Sequence, residues 1–262
     1  MIMTIDKMHV GRGESRGALT VFPIWQRRTP GTTVVLATDG ALRVQELDSP
    51  SVPHLRVTPS GRLPVLLLDG DVLVGGRQDR VAAGSRLLAP GFSATVDVRC
   101  VEQERWSGSQ THSVGGRATA FVRGNHDQQE VWRRVAVERS RAPGVPEVSG
   151  WEPLPGQSGV LTGIGGRPAL LELFADEVLL AAAWQRILAA AARDAAGRPP
   201  KQTPGYRARE FAGAVEAMPL SVRPQDSSMA ISAGTGGLEL RGVAEGHRLL
   251  HASVINQKAV AA

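Results

Sequence analysis

One cysteine, Cys100, stands among 262 residues, so no internal disulfide can form and there is no Cys-x-x-Cys pair to hold a metal. Aromatic residues make up 4% of the chain, with a single tyrosine, and they are not interleaved with the basic residues as a nucleic-acid stacking platform requires. Lysine is scarce as well, at Lys7, Lys201 and Lys258 only, so the net charge of +5 rests almost wholly on arginine. The arginines are spread along the chain, which argues against nucleic acid as a partner but leaves room for an arginine-lined pocket that takes a phosphate or carboxylate. No apolar run reaches the roughly 18 residues of a membrane span. The first residues, MIMTIDKMHVGRGESRG, lack the basic-then-apolar order of a secretory signal. Together these absences predict a cytoplasmic protein with no membrane partner.

What is present suits a globular fold: 42% apolar and 21% charged residues, over a length that supports one large or two small cores. Residues 17–24 read as a first strand, and 33–37 with 41–47, around Thr38-Asp39-Gly40, as a hairpin. Residues 54–58 read as another strand, and the apolar run 64–68 as a central strand covered on both faces. From Phe92 the alternation is clean, with Phe92, Ala94, Val96, Val98 and Cys100 on one face. Residues 107–124 are polar and glycine-rich and read as a long loop with a short strand at 118–122. A helix is expected from an Asn125 cap to Ser140, with Val131, Trp132, Val135 and Ala136 as its apolar face and an ion pair from Glu130 to Arg134.

The best hairpin signal is 159–164 with 167–173, joined by Gly165-Gly166. The strongest helix follows at 175–196, with Val178, Leu179, Trp184, Ile187, Leu188 and Ala191 available for packing and Gly197 and Pro199 as its stop. A short helix at 206–218, closing strands near 222, 229–232, 237–240 and 248–255, and a fraying tail at 257–262 complete the chain. Strands outnumber helices without regular strand-helix alternation. The expected fold is therefore α+β, a largely antiparallel or mixed β-sheet domain with two or three helices packed on it. Residues 1–16 are expected as an N-terminal extension and 17–256 as a single domain, with the proline-rich connector 142–156 as the place for any sub-boundary.

Familiar catalytic signatures are missing. The glycine turns GGR and GTGG are not followed by Gly-Lys-Ser/Thr, and there is no Gly-x-Ser-x-Gly elbow and no His-x-x-x-His pair. His112 and His126 could join Glu102 around a metal, but scattered histidines are more often surface residues, so no metal and no particular cofactor is assigned.

The densest polar stretch is 65–106. Continuing the alternation beyond Cys100 places Glu102 on the core face, where a carboxylate must be paired or protonated. Arg80 and Arg105 are its nearest candidate partners, and the group reads either as a base beside an anion clamp or as a structural pair closing the strand. Gln78 and Arg80, two apart, share a strand face suited to a phosphate, carboxylate or sugar hydroxyl. Asp69 and Asp71 flank Gly70 and could bind a diol or cation, although such pairs are turn formers first. Trp106 can stack on a base or cap the core, and Gln128 can complete a capping box or share a cleft-facing helix side with Trp132. Cys100, among valines and without a histidine partner, reads as an inert thiol.

These residues carry a resemblance. LLLDGDVLVGGRQDR, CVEQERW, QQEVW and GVLTGIGG ahead of a Trp-bearing helix resemble, in that order, the family named for association with ADP-ribosylglycohydrolases and rhodanese-type phosphatases. Gly70, Leu73, Gly75, Gln78 and Arg80 fall on its Gly-Glu-x-Leu-x-Gly-x-x-Gln-x-Arg pattern, which the chain leaves at Asp71, one methylene shorter than the family's Glu. Cys100, Glu102, Arg105 and Trp106, then Gln128, Val131 and Trp132, match two further pieces. The resemblance implies a role in metabolism of ADP-ribose and related NAD-derived nucleotides. The resulting expectation is an enzyme acting on a nucleotide or sugar phosphate, by hydrolysis or isomerisation. Glu102 and Asp71 would be catalytic, and Gln78, Arg80, Arg105, Trp106, Gln128 and Trp132 would bind substrate. The alternative is a non-catalytic binding or scaffold protein.

Overall fold

A computed structural model describes residues 3–27, 33–125, 127–140 and 144–261. In chain order the strands and helices are β1 (His9–Val10), β2 (Glu14–Arg16), β3 (Leu19–Trp25), β4 (Val35–Leu36), β5 (Leu42–Gln45), β6 (His54–Pro59), β7 (Val65–Leu67), β8 (Asp71–Gly75), β9 (Arg80–Ala82), β10 (Arg86–Leu88), β11 (Ala94–Cys100) and β12 (Thr111–Arg117). They continue with α1 (Ala120–Arg123), α2 (Gln128–Ser140), β13 (Gly159–Ile164), β14 (Arg167–Phe174), α3 (Glu177–Ala195), α4 (Gly205–Glu216), β15 (Ser221–Gln225), β16 (Ser228–Thr235), β17 (Leu238–Glu245), β18 (Arg248–Asn256) and α5 (Gln257–Val260). The fold is α+β, and every strand pair but β4 with β7 is antiparallel. No described helix is long and apolar enough to cross a membrane.

Three sheets organise the chain. A nine-stranded sheet runs β1-β3-β13-β14-β18-β17-β16-β15, with β2 also on β3. A six-stranded closed barrel runs β11-β6-β5-β12-β8-β9, and a three-stranded sheet, β10-β7-β4, lies against both. The alternation in β7 explains that arrangement: Val65 and Leu67 join the barrel core, whereas Leu66 joins the core under α3. The apolar run 64–68 is thus a central strand buried on both faces, as its composition predicts.

The β13–β14 hairpin forms as expected. Gly165 and Gly166 have φ of 56° and 87°, the double positive φ of a type I′ turn that glycine adopts without strain. The α3 helix begins where the Asp176 carboxylate accepts from Leu179 N at 3.0 Å, and it buries Leu180, Ile187 and Leu188 against the large sheet. Truncating one of these to Ala would cost about 2–5 kcal/mol. The opposite face of the sheet is covered by Phe211 and Val215 of α4 and by Met3, Ile5 and Met8.

Several expectations are corrected. Residues 33–37 and 41–47 do not form a hairpin: the turn at Thr38, whose carbonyl accepts from both Ala41 N and Leu42 N, sends β4 to β7 and β5 into the barrel. The stretch expected as a loop, 107–124, holds β12 and α1; β12 closes the barrel on β5 and β8, with a register shift where Gly115 and Gly116 fall. Its apolar signal is weak because its buried positions include His112 and Arg117, which are paired with carboxylates. The clean face of β11 ends at both sides: Phe92 is 73% exposed and Glu102 lies beyond the last strand residue in a bend. Val178 faces solvent, α2 begins at Gln128 rather than at an Asn125 cap, and the tail forms α5 with Ala259 and Val260 buried. Within residues 1–16, β1 and β2 pair with β3. From 144 to 156 the connector carries neither helix nor strand; its first two residues, and His126, lie outside the described residues.

Candidate functional site

Small barrels fill with side chains, and here Leu42, Val44, Leu55, Val57, Leu73, Ala82, Val96 and Val98 do so. The same inward parity continues toward one end as Glu46, Arg80, Cys100 and His112, so the barrel mouth is polar. Arg80 is fully buried. Its Nε donates to Val52 O at 3.1 Å, and among the described residues neither Nη1 nor Nη2 has a hydrogen-bond partner. Burial pushes the guanidinium below its ordinary range, against the pull of Glu46 and Asp79. The Trp106 ring lies 5.7 Å from its Cζ and 5.6 Å from that of Arg77.

Around Arg80, other polar atoms are also unanswered among the described residues. Gln78 Nε2 donates to Glu102 O at 3.0 Å, while its buried Oε1 has no partner. Glu46 Oε1 accepts from Arg77 N at 2.9 Å and meets His112 Nε2 at 3.3 Å, while Oε2 has none. His112 packs so tightly on Gly76 that a Cβ there would stand 2.1 Å from its Nε2, which with a φ of 54° makes glycine necessary. Burial pushes His112 below the usual imidazole range, with Glu46 opposing.

Glu102 is not on the core face as expected. The strand ends at Cys100, and the carboxylate turns to the rim with its side chain 28% exposed. There Oε2 meets Arg105 Nη2 at 2.6 Å and accepts from Asp79 N at 3.1 Å. Arg105 also reaches Asp79 at 3.2 Å and donates to Gly76 O and Ser107 O at 2.9 Å. The Arg105 hydrogen bond holds Glu102 below the usual carboxylate range, so it is ionised at neutral pH and suits a base or a hydroxyl acceptor rather than an acid. Glu104 follows with φ of 81°, a left-handed conformation that costs a non-glycine residue about 1–3 kcal/mol and that tends to mark functional loops.

The structure therefore brings Gln78, Arg80, Glu102, Arg105 and Trp106 together at one barrel mouth. Gln128 stands behind them: it accepts from Cys100 N at 3.0 Å and donates to Cys100 O at 2.8 Å, docking α2 on β11 instead of closing a capping box. The helix start is held by Asp127, whose carboxylate accepts from Glu130 N at 2.9 Å. Trp132 sits one turn along α2 with its buried Nε1 unpartnered. Cys100 is buried, its thiol directed at Glu102 O.

Asp71 does not belong to this group. It opens β8 whereas the mouth lies at the other end, about 13 Å away at the rise of a strand. Its Oδ1 lies 3.4 Å from both Arg117 and Arg186, and its Oδ2 accepts from Leu68 N at 3.0 Å. Complete burial pushes its pKa up, opposed by those arginines.

Asp71 marks a second polar cluster, enclosed between barrel and large sheet, that the sequence reading missed. Glu172 is its centre: Oε1 accepts from Arg117 at 2.7 Å and Arg123 at 2.8 Å, and Oε2 meets His251 Nε2 at 2.6 Å. Arg123 also reaches Asp69 at 3.1 Å and Ser253 Oγ at 2.6 Å. His251 Nδ1 meets Ser85 Oγ at 2.9 Å, and that oxygen accepts from Asp69 N. Burial holds the imidazole neutral, and the arginines hold Glu172 well below the usual range despite its burial. With the ring proton on Nε2, His251 donates to Glu172 and accepts from Ser85. Asp69, Asp71 and Glu172 are answered by Arg117, Arg123 and Arg186, so the cluster clamps the layers together. One trace was legible, a glutamate inside the apolar run Ala169-Leu170-Leu171-Glu172-Leu173-Phe174; its partners come from three other elements, β12, α1 and β18.

No group of three or more His, Cys, Asp or Glu among the described residues could hold a metal ion, and Glu102 and His112 serve different partners. Among curated proteins and among solved structures nothing matches the chain. The ARG and Rhodanese-Phosphatase-superfamily-associated Protein domain, ARPP-1, matches over residues 7–149 and again over 146–255, and the chain belongs to that family.

Proposed function

We propose that the barrel mouth binds a phosphorylated sugar or nucleotide of the ADP-ribose kind, and that the protein acts on it by hydrolysis or isomerisation. Arg80 carries this reading: a fully buried guanidinium with both terminal nitrogens unpartnered is costly to keep, and one phosphate would supply both missing acceptors. Trp106, 42% exposed over that guanidinium, offers a ring face to a base. Gln78 Oε1 can accept from a sugar hydroxyl. Arg105 orients Glu102, which serves as base or hydroxyl acceptor. The family's association with ARG proteins supplies the ADP-ribose context. Gln128 and Trp132 support the wall rather than touch the ligand.

Thermal unfolding of the wild-type chain and of Arg80→Met with ADP-ribose, NAD and ribose phosphates tests this. A ligand at 100 times its Kd stabilises the wild type by about 2.7 kcal/mol. Arg80→Met unfolds at the same or a higher temperature without ligand, since an apolar side chain replaces an unpaired buried charge, and it shows no ligand shift. A flat wild-type profile across all the ligands overturns the proposal.

A second reading, a non-catalytic binding protein, is favoured by the mutual satisfaction of Glu102, Arg105 and Asp79. Glu102→Gln separates the two. Catalysis predicts an intact ligand shift with turnover lost, whereas a structural pair at this exposure predicts unchanged function and a stability loss of about 1 kcal/mol or less.

A further inference from the structure

We infer that the cleft between the outer barrel wall and α2 is a binding site for an aliphatic carboxylate. The cleft has a volume of about 440 Å³, within the usual range for small-molecule sites. Val72, Val81, Val101, Val122, Val135 and Val145 form its walls, and among the described residues no hydroxyl, amide or aromatic side chain lines it. Such a wall has nothing to orient a sugar or the edge of a purine, and it accepts saturated hydrocarbon. The rim supplies the charge. Glu138 is already used, meeting Arg193 Nε at 3.2 Å and accepting from Thr119 at 2.8 Å. Arg139, also at the rim and exposed, has no hydrogen-bond or ion-pair partner among the described residues. An apolar well with an exposed guanidinium at its edge, free of hydrogen bonds and close ion pairs among the described residues, is complementary to a hydrocarbon chain ending in a carboxylate.

The cleft lies on the other side of the barrel wall from the mouth, and the Arg139 charge at its edge also acts on Glu102 at the rim. Val81 and Val101 project outward where their neighbours Arg80 and Cys100 project inward, so the strand wall separates the two.

Calorimetric titration of the full chain with hexanoate, octanoate and decanoate, below their micelle-forming concentrations, tests the inference. Decanol and decylamine serve as head-group controls. Affinity should rise up to about fourfold per added methylene until the cleft is full, the worth of burying one CH₂. Decanoate should bind at least tenfold more tightly than decylamine. Arg139→Ala should remove the preference for the carboxylate over the alcohol while leaving the melting temperature unchanged. Val135→Phe, which fills the cleft, should abolish decanoate binding. Absence of decanoate binding, equal affinity for the three head groups, or decanoate binding unaltered in Val135→Phe overturns it.

Discussion

Glu172 and Arg80 show two ways in which a buried charge can be kept. Glu172 has two guanidinium groups and an imidazole within 2.8 Å, so its desolvation is offset by direct partners. Arg80 has one backbone acceptor and two empty donor positions. Removing a partner from the first kind of site is expensive. Glu172→Gln should lower the unfolding free energy by about 3–5 kcal/mol in denaturant titration, because Arg117 and Arg123 lose the carboxylate charge they share. Loss below 1 kcal/mol would show that the cluster does not clamp the layers. The residue types at the mouth, Gln78, Arg80, Glu102, Arg105 and Trp106, were legible from spacing and from the family pattern. Their pairing was not: Glu102 was expected inside, on an alternation that stops at Cys100.

At the scale of the element, α2 is anchored by a side chain that the sequence offers as either helix cap or substrate contact. Gln128 closes no capping box, and it answers both polar groups of the Cys100 backbone at the end of β11. Gln128→Leu therefore leaves a strand-end N–H and C=O without partners and should cost about 1–3 kcal/mol per group, with faster amide exchange at Cys100. A substrate contact would instead weaken ligand binding at unchanged stability, so the two measurements together assign the residue. Elements with strong local signals formed as expected, above all the Gly165-Gly166 hairpin and the alanine-rich α3. β12 was illegible because its buried positions carry His112 and Arg117, whose partners lie far away in sequence, so period-2 hydrophobicity is lost.

At the scale of the whole molecule, the enclosed cluster couples layer cohesion to pH. Burial pushes His251 and His112 below the ordinary imidazole value, whereas in the unfolded chain both titrate near about 6.5. The unfolded state therefore binds more protons as pH falls through that value, and stability falls by up to about 1.4 kcal/mol per pH unit for each imidazole. Glu172, with its pKa lowered, adds stability above its unfolded value that is lost at still lower pH, while Asp71, raised, works the other way. Unfolding free energy should drop between pH 7 and pH 5, and His251→Gln should reduce that slope; an unchanged slope in the variant would place the proton uptake elsewhere. By itself, the sequence determined the class of fold, the strongest hairpin and helices, and the stretch that holds the mouth, because turn chemistry, alternation and helix periodicity are local. Only the tertiary structure decided that six of the strands between 42 and 117 close into a barrel, that Asp71 and Glu102 part company, and that Glu172 gathers charges from across the chain. Those outcomes depend on which distant groups satisfy one another once water is excluded, and that is a property of the packed layers rather than of any segment.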